Sequence, residues 1–259
     1  MENKNLRRKF FNVLLIVFVV ALLGFFLKLN YFNFTLLYFG LPVVYLISQV
    51  SKNVRSKVLY VATFLAFPLV IILDYIATIN FAWTNSTMFG IKFLSVIPFE
   101  DLLWGFLLVC YVLLFYEYFF DSEKTRPPKK RIKHFILLFL FLLSLFLFLT
   151  AFEASIFIMP YAYFLMGTLF FLLPVLTFAY LHPQVLSKCA MPILYFFAVF
   201  FLQEVVALKL KHWTFRDGEF LGLVQVGSLQ FPLEELLFFF LLFSIAIISY
   251  YEFIADDRK

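Results

Sequence analysis

Residues 134–152 read HFILLFLFLLSLFLFLTAF, and this stretch decides the class of protein. It contains no Asp, Glu, Lys or Arg, and as a helix it would cover about 30 Å, the hydrocarbon thickness of a bilayer. Similar apolar runs recur from Phe10 to Phe253. The chain is 64% hydrophobic and 14% charged, whereas a soluble domain is roughly half apolar and about a quarter charged. A water-facing surface cannot be built from that balance, so the chain reads as an all-α, polytopic membrane protein.

Apolar runs between charged or Pro/Gly punctuation predict eight spans, at 11–27, 33–49, 58–76, 97–119, 134–152, 157–180, 190–208 and 231–253. The first follows Lys4, Arg7, Arg8 and Lys9 as a signal peptide would, but no small-residue cleavage site follows it, so it reads as a retained helix. Pro42 interrupts the second, which membrane helices tolerate where neighbours satisfy the freed carbonyls. Of 21 Lys and Arg residues, only Lys28, Lys92, Lys209, Lys211 and Arg216 fall on the side away from the termini. That bias predicts an inner-membrane protein with both termini in the cytoplasm. The net charge of +5 is carried by these topology signals, which argues against a nucleic-acid partner. Cys110 falls within a span and Cys189 at the edge of one, and they offer no disulfide or metal pattern.

The chain also repeats. LDYIATINFAWT at 73–84 matches QEVVALKLKHWT at 203–214, each ending in Trp-Thr nine residues after an acid. IPFEDLLWGF at 97–106 matches FPLEELLFFF at 231–240, and Leu41-Pro42-Val43 matches Leu173-Pro174-Val175. Each half, 1–122 and 134–259, then holds four spans, with the basic stretch 123–133 as a cytoplasmic linker. Because four is even, the halves enter the membrane in the same orientation, which predicts a parallel pseudo-twofold along the membrane normal.

Six carboxylic acids fall in the spans near the ends that face away from the termini: Asp74, Glu100, Asp101, Glu204, Glu234 and Glu235. Each costs about 2.5–3.5 kcal/mol on insertion scales, so an intramembrane acid is a functional hypothesis by default. The motif Pro98-Phe99-Glu100-Asp101 and its copy Pro232-Leu233-Glu234-Glu235 suit a helix start. Proline fits the first helical position, and the acids face the free N–H groups of the first turn. A protonated acid beside an ionised one can do acid-base work without a metal or cofactor. The same acids would merely cap helices if they sat among solvated headgroups, but their recurrence at one depth in both halves favours a site. Trp83 and Trp213 read first as interfacial anchors, and with Trp104 as candidates to line a substrate. Forty-one Phe residues allow aromatic stabilisation of a cation, although most must face lipid or other helices. His134, His182 and His212 are scattered, and no dinucleotide, P-loop, His-box or Asp-rich diphosphate pattern is present. The expected cofactor and metal complement is therefore none.

The two acid-bearing helix starts, each preceded by an acidic helix and a Trp-containing loop, resemble the paired domains of the heterodimeric-type lycopene cyclases. In that family two three-helix domains occur fused or as separate subunits. The resemblance covers 33–120 and 160–253, with the first and fifth spans as additional helices. The family's motif lands on Pro98, Glu100 and Asp101, and on Pro232, Glu234 and Glu235. Its helix-terminal acid lands on Asp74, with Leu73 where the family often has Trp, and on Glu204 after Gln203. The resemblance implies cyclisation of lycopene ends to β-ionone rings, giving γ- and β-carotene. An acid protonates the terminal C1–C2 double bond, the cation closes onto C5–C6, and a carboxylate removes a proton. Glu234 and Glu100 are the leading acid/base candidates, with Glu235, Asp101, Asp74 and Glu204 as their partners. The implied partners are a carotene in the bilayer, membrane lipid and other enzymes of the carotenoid pathway. Two alternatives from other classes are a proton-coupled transporter and a non-catalytic membrane scaffold.

Overall fold

The computed structural model describes residues 2–121, 131–216 and 218–255. Among them eight helices are long and apolar enough to cross a membrane: α1 Asn5–Phe26, α2 Tyr31–Gln49, α3 Lys52–Ile79, α4 Phe99–Asp121, α5 Lys133–Phe157, α6 Ala162–Leu181, α7 Lys188–Leu210 and α8 Glu235–Ile254. The chain is a mostly helical, multi-pass membrane protein. Helix starts follow local capping. Asn30 accepts the Asn33 N–H at 2.9 Å and starts α2 at Tyr31, while Ser51 caps α3 and extends it back to Lys52, well before the apolar run. α2 breaks at Phe39, one turn before Pro42, whose ring crowds the carbonyl four residues back. Of the basic linker, 123–130 lie outside the described residues, and Arg131 is already helical. Arg258 and Lys259, which contribute to the charge bias, lie outside them too.

The all-α expectation is corrected at one end of the bundle, where the α3–α4 and α7–α8 connections form short strands. These are β1 Trp83–Asn85, β2 Lys92–Phe93, β3 Ile97–Pro98, β4 Trp213–Phe215, β5 Leu223–Val226 and β6 Leu229–Pro232. β2 pairs with β3 and β5 with β6, all antiparallel. Phe231 and Pro232 are thus strand residues, and the last helix starts after them. Strand β1 pairs antiparallel with β4, so the two halves are hydrogen-bonded to each other: Trp83 faces Phe215, Thr84 faces Thr214 and Asn85 faces Trp213. We call this the loop end. Asn80 ties the α5–α6 connection to it, donating to the Phe157 carbonyl at 2.7 Å and accepting the Met159 N–H at 2.8 Å. His212 ties the α1–α2 connection, its Nε2–H donating to the Leu29 carbonyl at 2.9 Å. Burial holds this imidazole below its ordinary pKa, while the bond to Leu29 pulls the other way.

The apolar periodicity is used unequally. α5 exposes nearly its whole surface, whereas α3, α4 and α8 are the most buried helices. Every residue of α4 from Leu107 to Glu117 is buried. α3 and α4 approach closely at Gly105, where an added Cβ would lie 2.1 Å from Val70 Cγ2. α6 and α8 do so at Gly167, where it would lie 2.2 Å from the Phe238 ring.

The opposite, terminal end carries a polar cluster that hydropathy conceals. Lys57 Nζ pairs with Glu117 at 2.6 Å, both side chains buried. Tyr251 donates to Glu117, and Tyr116 donates to Glu252 at 2.5 Å. Each Tyr-Glu dipeptide therefore serves the other. From Glu100 to Tyr116 is sixteen residues and from Glu234 to Tyr251 seventeen. A π-helical stretch at the start of α8, Glu235–Leu242, takes up the additional residue.

Candidate active site

α3 and α7 end in the same turn. The Ala82 N–H reaches the Ala77 carbonyl at 2.9 Å with Phe81 left-handed at φ 57°, and the His212 N–H reaches the Ala207 carbonyl at 2.8 Å with Lys211 at φ 58°. These are Schellman caps, normally closed by glycine. The turn brings the following tryptophan back over the helix. Trp83 Nε1–H donates to Asp74 Oδ1 at 3.2 Å, and Trp213 Nε1–H to Glu204 Oε1 at 3.1 Å. The nine-residue spacing from acid to Trp is thus the span of one last helical turn plus its cap. Among the described residues, all six non-glycine left-handed residues, Lys28, Phe81, Leu94, Ser95, Tyr161 and Lys211, lie in loops of this end. Such conformations cost about 1–3 kcal/mol each and concentrate where geometry is functionally constrained.

The second acids of the two motifs lie on the first turns of α4 and α8. Asp101 Oδ2 accepts from Asn85 Nδ2 at 2.7 Å, and its carboxyl also faces the Tyr31 phenol. Glu235 Oε2 accepts from Tyr163 at 2.5 Å. Asp74 interacts electrostatically with Asp101, and Glu204 with Glu235. All four are buried, and among the described residues none is ion paired. Among the described residues, Asp74 Oδ2, Asp101 Oδ1 and Glu204 Oε2 have no hydrogen-bond partner. Two neighbouring carboxyls in an apolar surround, with no cation ion paired to either, are the arrangement in which one proton is shared by the pair.

Glu100 and Glu234 occupy a different environment. Glu100 Oε1 accepts the N–H groups of Met88 at 2.6 Å and Phe89 at 3.0 Å, and the Thr87 hydroxyl at 3.0 Å. Glu234 Oε1 accepts the Leu221 N–H at 2.7 Å. Both are fully buried and both reach away from the cavity into the loop that precedes their own helix. They hold the α3–α4 and α7–α8 connections down on the bundle.

One cavity of about 110 Å³ lies between the halves. Asp74 and Glu235 line it, one from each half, together with Tyr31, Tyr163, Asn85 and all three tryptophans of the chain, Trp83, Trp104 and Trp213. The aromatic contacts cross between halves. Trp83 meets Tyr163 edge-on at 4.9 Å, and Tyr31 meets Trp213 edge-on at 6.0 Å. Asp74 is thereby joined to Glu235 through Trp83 and Tyr163, and Glu204 to Asp101 through Trp213 and Tyr31. Gly105 and Gly167, the two close-approach glycines, also line the cavity.

Sequence reasoning did not single out Tyr31, Tyr163 or Asn85. A signal existed: Leu41-Pro42-Val43 and Leu173-Pro174-Val175 are 132 residues apart, and the same offset carries Tyr31-Phe32 onto Tyr163-Phe164. The charged cluster of Lys57, Glu117 and Glu252 was not singled out either. It places buried carboxylates at the terminal end as well as the loop end. Among the described residues no group of His, Cys, Asp and Glu is arranged to hold a metal ion. Compared with known protein-family models, curated proteins and solved structures, the chain matches none.

Proposed function

We propose that the protein is a redox-neutral cyclase of linear carotenes, built from two parallel halves related by a pseudo-twofold axis along the membrane normal, with both termini in the cytoplasm. The observation that carries this reading is an aromatic cavity with a buried acid from each half on its wall, neither of them ion paired among the described residues. Cyclisation needs a proton delivered to one carbon and removed from another, in a site dry enough for a carbocation to survive. Asp74 and Glu235 stand where the reacting end would lie, and Asp101 and Glu204 stand behind them. The indole and phenol faces supply negative quadrupoles to a passing cation. At about 110 Å³ the cavity is smaller than the about 150 Å³ that takes a benzene ring, so the wall side chains would move outward to admit a ring-forming end group, with the rest of the chain in the bilayer. Trp83, Trp104 and Trp213 act here as substrate-contacting walls, and Glu100 and Glu234 as positioning residues that hold the cover in place.

The two-half arrangement is supported at both ends of the bundle. Thr84 faces its repeat partner Thr214 in an antiparallel pair, as a local twofold requires, and the Tyr-Glu dipeptides exchange hydrogen bonds reciprocally. A carrier would need a polar route between the two ends. The stretch of α4 between Leu107 and Phe115 is buried and carries no charged side chain, which favours chemistry over transport.

The test is expression of the full chain in bacteria that accumulate lycopene, with pigments separated by chromatography. γ- or β-Carotene is the expected product. Unchanged lycopene, with the protein folded in the membrane, would refute the reading.

A further inference from the structure

The two acid sets differ in one partner. Asn85 in β1 donates its amide to Asp101, and the residue in the corresponding place of β4, one after Trp-Thr, is Phe215. Asp101 therefore faces an amide as well as the Tyr31 phenol, while among the described residues Glu235 accepts from the Tyr163 phenol alone. The amide is an additional donor that stabilises the ionised form of Asp101, and among the described residues Glu235 has no counterpart to it. An amide NH2 donates and cannot accept, so the Asp101 oxygen it touches must offer a lone pair. A phenol does both, so Glu235 can accept from Tyr163 or carry a proton and donate back to it. Both sets open on the same cavity through Asp74 and Glu235, so both address the same bound end group.

Resting on the cyclase reading, we infer that the halves divide the reaction: Glu235 of the second half delivers the proton, and the Asp74–Asp101 pair of the first half takes one back. The Glu235 proton goes to C2 of the terminal C1–C2 double bond. The cation at C1 is attacked by the C5–C6 double bond, forming the C1–C6 bond and leaving the charge at C5. Loss of the C6 proton to Asp74 restores a C5–C6 double bond. One proton enters and one leaves, no electrons are exchanged with a partner, and proton return from Asp74 to Glu235 through solvent resets the site. Asn85 is a positioning residue that keeps Asp101 an acceptor. Glu204 accepts from Trp213 and lies behind the cavity wall.

The experiment compares Glu235→Gln with Asp74→Asn in the full chain, in lycopene-accumulating cells. Quenching of the three cavity tryptophans by added lycopene shows that each purified variant still binds. Loss of the donor leaves lycopene unconverted. Loss of the acceptor still consumes lycopene, but the ring cation ends elsewhere, as rings with a displaced double bond or a captured hydroxyl. Asn85→Leu is the second variant: it scatters products in the same direction, a change that general loosening of the fold does not produce. The reversed pattern, or equal loss of all conversion in Glu235→Gln and Asp74→Asn with quenching intact, overturns the division of roles while leaving the cyclase reading standing. Should Asp74→Asn fail to quench, an Asn85→Leu product profile identical to wild type overturns it as well. A wild-type chain that forms no ring overturns both.

Discussion

Glu100→Gln separates the role that geometry gives this residue from the role its motif implies. The substitution keeps the shape and one carbonyl oxygen, so the Met88 and Phe89 N–H groups at 2.6 and 3.0 Å still have an acceptor. What is lost is the charge. A hydrogen bond to a charged group contributes about 1.5–3 kcal/mol and a neutral one about 0.5–1.5, so two bonds lose about 2 kcal/mol together. For a chain of this size that is a drop in Tm of about 4–8 °C. Unfolding followed by tryptophan fluorescence in nanodiscs measures the shift, and carotene formed per folded molecule at a temperature well below it measures turnover. The expected result is lowered stability with turnover within a few-fold of wild type. Glu234→Gln, with one backbone bond in place of two, should lose about 1 kcal/mol. An unchanged Tm with no carotene formed would refute this account and return Glu100 to the position of catalytic acid.

At the terminal end, Lys57→Met leaves Glu117 buried without its cation and should destabilise by about 3–5 kcal/mol. Adding Glu117→Gln should recover most of that loss in the same unfolding measurement, and no recovery would contradict an ion-pair origin. His212 is held below its ordinary value of 6.5 by burial, so the unfolded chain takes up a proton at this site before the folded one does. Stability from this group is full above about pH 6.5 and declines as the pH falls below it. A Tm series from pH 8 to pH 5 should slope downward toward acid, and His212→Gln should flatten that slope; an identical slope in the variant would count against the assignment.

The spans were legible in the sequence because lipid leaves the backbone few alternatives: an apolar run must bond itself as a helix. Their ends were less so, since Ser51 adds a polar turn to α3 that hydropathy does not register. The acids were legible as a set and not as individuals. Asp74, Glu100, Glu204 and Glu235 look alike along the chain, but which of them meets the cavity depends on the path of the loops between helices. That path is fixed by the β1–β4 pairing over a separation of 130 residues. Asn85 is the clearest case: in sequence it is one more polar loop residue, and only the strand pairing and the first turn of α4 bring it to Asp101. Tyr31 and Tyr163 sit at helix starts, where tyrosine reads equally well as an interfacial anchor.

The wide turn in α8 has a mechanical meaning. Each residue added to a regular helix swings everything beyond it through about 100°, so a single insertion would have carried Tyr251 and Glu252 to the wrong side of the bundle. By swelling locally, α8 hides that residue from its lower half, and the azimuth of the two ends is kept. Removing one residue between 236 and 241 should therefore restore a regular helix and leave the Tyr-Glu exchange aligned, whereas removing one beyond the wide turn, between 243 and 248, should swivel that exchange out of alignment while the composition of neither end has changed.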